Sequence, residues 1–286
     1  MSGKIPQQES KEFQMKVDIE TLLGHSTRLP GKTDREIYKA VIAILESAVE
    51  QIAPDSGVVT YGEDGWRREG IRYDTSDRLL KSDYLTLAIE ATDSETKLKC
   101  KSHQFVPELL YAKPKKSPCM PDWDALPDYR KNDAKFKLEQ DIHFDNLKFC
   151  ASGSLYLEGK KTSFPLLGSF ATYFPGLGKL LNPATPLVEV SHWDEAVFDD
   201  ITTDWKGGKK ISDWMLVNRW QWGSKELLEA ELSFKVTKAM DDDWDQDELE
   251  QAQTLYLVLQ ASGFFIAYPP IFTVNDPVSS VAIKVV

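Results

Sequence analysis

Four stretches of the chain alternate apolar and polar residues with a period of two. In residues 12–19, Phe13, Met15, Val17 and Ile19 oppose Glu12, Gln14, Lys16 and Asp18. That period predicts a β-strand, because successive strand side chains point to opposite faces. Residues 135–144 repeat the design, with Phe136, Leu138, Ile142 and Phe144 against Lys135, Lys137, Glu139, Asp141 and His143. In residues 227–236 the apolar set is Leu228, Ala230, Leu232, Phe234 and Val236, and the polar set is Glu229, Glu231, Ser233 and Lys235. The fourth stripe is purely basic, with Lys97, Lys99 and Lys101 against Leu98 and Cys100. Asn218 and Arg219 are expected to extend it from a neighbouring strand. Shorter strands are predicted at 58–61, 70–73, 84–91, 151–158, 187–192 and 214–222.

Helical spacing occurs twice. Ile37, Val41, Ile44, Leu45, Ala48, Val49 and Ile52 share one face of a helix that Thr33 or Asp34 can cap, with Pro54 beyond its end. A second helix is predicted over 245–261, with acidic residues at its positive dipole end and Gly263 after it. Residues 1–11 are polar and read as a disordered lead. Residues 12–286 read as one domain with insertions at about 105–130, rich in Pro and Lys, and about 160–186, rich in Pro, Gly, Leu and aromatics.

Composition narrows the possible functions. At 286 residues, 42% hydrophobic and 28% charged, the chain has the make-up of a folded protein with ample bulk for a core. Its polar start predicts no secretory signal and a cytoplasmic location. No run of eighteen apolar residues predicts a membrane span. The best candidate, 164–181, is broken by Pro165, Gly168, Pro175, Gly176, Gly178 and Lys179. It reads as a loop with an apolar inner side, or as a surface for protein contact. Cys100, Cys119 and Cys150, an odd number at wide spacing, match neither a disulfide framework nor a zinc motif, and a reducing compartment is the simpler explanation. A net charge of −11 argues against a general nucleic-acid binder.

The charged faces admit two readings. An antiparallel sheet with one wet face alternates in the same way. Alternatively, the charges turn inward around the bore of a closed barrel, and helices cover the apolar outside. Lysines grouped with carboxylates suit one ligand class. Ammonium groups hold an anionic phosphorylated small molecule, and carboxylates hold the divalent ion that bridges its oxygens. His143 is a candidate acid or base, or a hydrogen-bonded channel histidine.

The order of the motifs resembles the CYTH superfamily, the triphosphate tunnel metalloenzymes. Glu12-Phe-Gln-Met-Lys16 is similar to that family's Glu-x-Glu-x-Lys opening strand, and Arg72-Tyr73-Asp74-Thr75 to its Tyr-Phe-Asp-Thr segment. The family's Leu-Arg-x-Arg strand would fall at Leu85-Thr86-Leu87-Ala88, its lysine strand at Thr96-Lys97-Leu98-Lys99, and its late Glu-x-Glu strand at Glu229 and Glu231. The resemblance spans most of residues 12–262. It implies an α+β fold in which an antiparallel β-barrel or tunnel of about eight strands is flanked by helices. It also implies Mg²⁺ or Mn²⁺ on Glu12, Glu139, Glu229 and Glu231, and phosphate on Lys16, Lys97, Lys99, Lys101, Lys135, Lys137, Arg219 and Lys235. Gln14 stands where the motif has its middle glutamate, and Thr86 and Ala88 where arginines are expected. Two functions therefore stay open: a metal-dependent triphosphatase, or a non-catalytic ligand-binding or protein-interaction domain on the same fold. No catalytic residue is assigned.

Overall fold

The computed structural model describes residues 7–24, 34–82, 85–104, 117–143, 147–206, 210–222 and 225–266. In chain order the elements are β1 (Gln7–Val17), α1 (Ile19–Leu23), α2 (Asp34–Ile52), β2 (Val58–Tyr61), β3 (Trp66–Asp74), α3 (Leu79–Ser82), β4 (Leu85–Ala91) and β5 (Glu95–Gln104). A 3₁₀ turn (Asp128–Asp133) leads into β6 (Lys135–Ile142) and β7 (Leu147–Glu158), followed by α4 (Leu167–Ala171) and α5 (Leu177–Leu180). The chain then forms β8 (Val188–Asp204), β9 (Ile211–Trp222), β10 (Lys225–Ala239), α6 (Gln246–Ala261) and β11 (Phe265–Ile266).

Nine of the strands close into a barrel, in the ring order β10, β9, β8, β3, β4, β5, β7, β6, β1 and back to β10. Every neighbouring pair in the ring is antiparallel except β1 and β6, which run parallel. Closure removes the exposed edges that an open sheet would present. β2 and β11 pair with β8 and β1 outside the ring. The expected barrel with flanking helices is thus present, with nine ring strands in place of about eight and one parallel junction. β1 begins at Gln7, so residues 7–11 belong to the barrel and not to a disordered lead.

The apolar faces of the strands point outward, and each must be covered. On β1, β9 and β10, Phe13, Met15, Met215, Val217, Leu232 and Phe234 are buried against α2 and α6. α2 supplies Ile37, Val41, Leu45 and Val49 at helical spacing, and α6 supplies Leu249, Leu255 and Leu259. Rings interlock there, Phe13 on Phe234 with centroids 5.2 Å apart and Tyr38 on Phe198 at 4.1 Å. Each such side chain contributes about 1.5–3 kcal/mol on burial.

Among the described residues, the opposite wall, formed by β3, β4, β5, β7 and β6, has no long helix over it. The two predicted insertions cover it instead. Cys119 and Leu126 from 117–134, and Phe164, Leu167, Phe170, Phe174 and Leu177 from 160–187, pack on Ile71, Leu87, Leu98, Phe136 and Leu155. Residues 105–116 of the first insertion lie outside the described residues. The apolar side chains of 164–181 that suggested protein contact are therefore occupied by the chain's own wall, with Leu166 and Leu180 left exposed. Among the described residues no helix is long and apolar enough to cross a membrane.

Candidate functional site

With the apolar faces outward, strand alternation turns the charged faces into the bore. Register carries that face from strand to strand, since residues directly opposite one another share a side. Glu12 lies opposite Lys235 and Lys16 opposite Glu231 across β1 and β10. Lys97 lies opposite Glu90, and Arg72 opposite Ala88. Glu139 on β6 is paired with Cys150 on β7.

The bore charges fall into three nests. In the first, Lys235 bridges Glu12 and Glu139, at 3.4 Å from Glu139, while Lys101 holds the other oxygen of Glu139 at 3.2 Å. The Gln14 amide donates to Glu12 at 2.9 Å. Burial pushes both carboxyls up, yet the lysines outweigh it and hold Glu12 and Glu139 below the ordinary range. Asp141, beside them, is pushed up to about 7 by burial and by the charges of Glu12 and Glu139. The ligand atoms of Glu139, Asp141 and Cys150 lie within 4.8 Å of one another, and all three residues are buried.

In the second nest Glu90 receives Arg68 at 2.7 Å and also pairs with Lys99 and, at 3.9 Å, Lys97. Arg68 pairs in addition with Glu195. In the third, Lys16 pairs with Glu229, and Ser233 donates to Glu231 at 2.7 Å. Arg72 stands over the rings of Trp193 and Trp220 at 5.3 and 5.0 Å. Burial pulls its guanidinium down to about 10, against the pull of Glu229, Glu195 and Glu90. Trp193 can lie there because residue 70 is glycine, where a Cβ would come within 2.0 Å of the indole.

Eleven of the twelve predicted site residues lie on this inward face. Lys135 is at the exposed start of β6, at a mouth of the bore. Arg219 is the exception. It is on the outward face of β9 with Met215 and Val217, and pairs with Asp34 at the start of α2, which also holds Arg67. Alternation explains this: Asn218, not Arg219, shares the inward phase of β9, opposite Glu229. His143 is buried on the inward stripe and pulled down to about 3 by burial and by Lys148, so it is a neutral imidazole.

Sequence reasoning missed Arg68, Arg72, Glu90, Glu195, Trp193 and Trp220. On the adjacent β3, Arg72 lies opposite Ala88 and Arg68 pairs with Glu90 of β4. Thr86 contacts His103 at 3.4 Å, and Ala88 packs against Trp193 and Trp220. Asp74 and Thr75 of the second motif serve structure. The Asp74 carboxylate accepts from the Thr75 and Leu80 amides, and the Thr75 hydroxyl from the Leu79 amide, which caps α3.

The carboxylates differ in their fitness for a metal. Glu12 and Glu139 already hold ammonium groups, so an ion there must displace Lys235. Glu229 and Glu231 occupy successive inward positions of one strand and offer oxygen ligands to a hard cation, which must displace Lys16 from Glu229.

No protein-family model matches the sequence. No curated protein matches it either. Several solved structures are similar at low identity. A Hippeastrum protein, named an adenylyl cyclase and described as having a dominant triphosphatase activity, is 9% identical over 90% of each chain with a TM-score of 0.38. A Bacillus halodurans protein named as an adenylate cyclase is 9% identical over 82% of this chain and 90% of its own, with a TM-score of 0.37. A Pyrococcus horikoshii protein is 11% identical over 90% of this chain and 93% of its own, with a TM-score of 0.32. The strand pairing itself gives a closed, helix-flanked barrel, the α+β architecture expected from the sequence.

Proposed function

We propose that the bore binds a small polyphosphate-bearing anion together with a divalent cation. The observation that carries this reading is the crowding of lysines inside the barrel. Lys97, Lys99, Lys101, Lys137 and Lys235 share the three carboxylates Glu12, Glu90 and Glu139, and Arg68 is divided between Glu90 and Glu195. Lys137 is pulled down to about 8 by burial and by Lys235, so its charged form lacks sufficient compensation. An anion entering the bore supplies that compensation and converts repulsion among ammonium groups into binding.

The chain's own residues can then act on the phosphates. Lys97, Lys99, Lys101 and Lys137 donate to the phosphate oxygens, and Arg72 offers a planar guanidinium held over two indoles. A divalent cation held by Glu229 and Glu231 would neutralise charge on the bridging and terminal oxygens. The donors are set in place by the barrel before ligand arrives, which is the arrangement that stabilises growing charge without reorganisation.

The non-catalytic reading is favoured by Gln14, which leaves the first strand one carboxylate short, and by Ala88, which gives its space to Trp193 and Trp220. One experiment separates the two. The purified protein is incubated with inorganic triphosphate and nucleoside triphosphates, with and without Mg²⁺ or Mn²⁺, and phosphate release and binding heat are followed. Metal-dependent release that is lost in Glu231→Gln supports a hydrolase. Binding heat without release supports the second reading, and neither removes polyphosphate as the ligand.

A further inference from the structure

The two cysteines on the outer wall of the barrel take no part in the bore. Cys100 on β5 and Cys119 in the 117–134 cover are completely buried, and their sulfur atoms lie 3.0 Å apart, closer than non-bonded sulfurs ordinarily rest. A third residue makes that approach possible. Gly153 on β7 is the register partner of Cys100, and a Cβ at Gly153 would lie 1.7 Å from the Cys119 carbonyl oxygen. Only glycine there lets the Cys119 backbone settle beside Cys100. Cys150 lies on the inward side of the same wall, 3.4 Å from a Glu139 oxygen. The fold thus singles out one pair among the three thiols.

We infer that Cys100 and Cys119 form a disulfide that fastens the 117–134 cover to the outer wall of the barrel. The oxidant is a low-molecular-weight disulfide. One cysteine thiolate attacks it, expels one thiolate and leaves a mixed disulfide. The second cysteine attacks the protein sulfur of that bond and expels the other small thiolate. Two protein thiols are oxidised, one small disulfide is reduced to two thiols, and the two protons leave on those thiols. Because both sulfurs are sealed in the folded protein, exchange proceeds before the cover seats or when it lifts. The cross-link then joins strand to cover across the 101–118 span, a loop closure that stabilises the folded state chiefly by restricting the unfolded chain.

The test begins with reduced, unfolded protein refolded with oxidised glutathione. Remaining thiols are alkylated in denaturant, and the protein is digested without reductant for mass spectrometry. The expected result is a Cys100–Cys119 peptide pair, Cys150 alkylated, and a melting temperature about 5 °C above that of the reduced protein. Cys119→Ser and, should that variant fold poorly, Cys100→Ala must each abolish the pair and the difference in melting. Three alkylated cysteines, or a bond to Cys150, would overturn the proposal. So would a Cys100–Cys119 bond that leaves the melting temperature unchanged, since the cover would then not be fastened.

Discussion

Replacing Lys235 with methionine keeps the unbranched apolar stem out to Cε and removes the ammonium that bridges Glu12 and Glu139. Glu139 keeps Lys101 at 3.2 Å, whereas Glu12 is left with the Gln14 amide and the weaker attraction of Lys101. In the intact protein burial raises Glu12, but Lys235 and Lys101 outweigh it and hold the carboxyl below its ordinary 4.5. Ionised Glu12 therefore stabilises the fold above pH 4.5, and that contribution is lost as pH falls through the lower folded value. Without Lys235 the sign reverses. Burial then dominates, the folded pKa rises above 4.5, and a penalty grows as pH increases. At 3.4 Å and an effective dielectric near 20, the lost attraction to one carboxylate is about 5 kcal/mol before desolvation. Protonation caps the net loss. Keeping a carboxyl of ordinary pKa 4.5 in its acid form costs about 3 kcal/mol at pH 7 and about 0.7 kcal/mol at pH 5. Urea unfolding of Lys235→Met from pH 5 to pH 8 should therefore show a deficit near 3 kcal/mol at neutrality that shrinks below about 1 kcal/mol at pH 5. A deficit that is small at pH 7, or independent of pH, would refute the reasoning and mean that water in the bore screens the nest.

Three further outcomes follow from single contacts. Gly70→Ala places a methyl 2.0 Å from the Trp193 ring and must dislodge it from Arg72; we expect a loss of about 1–3 kcal/mol in urea unfolding and an altered tryptophan emission. Gly153→Ala drives a Cβ into the Cys119 carbonyl, so the 117–134 cover should lift and an apolar dye should bind the bared wall, whereas unchanged dye binding would show that the cover tolerates the methyl. The Asp213 carboxyl, buried in the outer core, is held well above its ordinary 3.8 by burial. Its contribution to stability is complete below pH 3.8 and declines as pH rises toward the folded value, so Asp213→Asn should flatten the stability curve between pH 5 and 8, and parallel curves would contradict a protonated Asp213.

Much of the barrel was legible because alternation is a local signal. β1, β6 and β10 carry clean apolar and charged faces, and each runs where the period places it, with β1 starting earlier and β10 extending at both ends. β8 was read as six residues at 187–192 but runs to Asp204. Its acidic residues and the register shift between Phe198 and Ile201 interrupt the period, and pairing with β3, β9 and β2 holds it extended. The β3 arginines were hidden in the same way. Trp66-Arg-Arg-Glu-Gly-Ile-Arg has three charged residues in a row and no clean alternation, yet the outward phase of Ile71 and Tyr73 already assigns Arg68 and Arg72 to the other face.

What the sequence determined by itself is that several strands have one apolar and one charged face, because side-chain period is a property of the backbone of each segment. Which face is inside was not encoded in any one strand. That required the ring to close and α2, α6 and the two insertions to cover the apolar outside, since buried area is gained only between segments distant in the chain. Pairing was decided at the same level. Lys235 meets Glu12 and Glu139, Arg219 meets Asp34, and Cys100 meets Cys119 because register and cover placement, not spacing along the chain, bring them together.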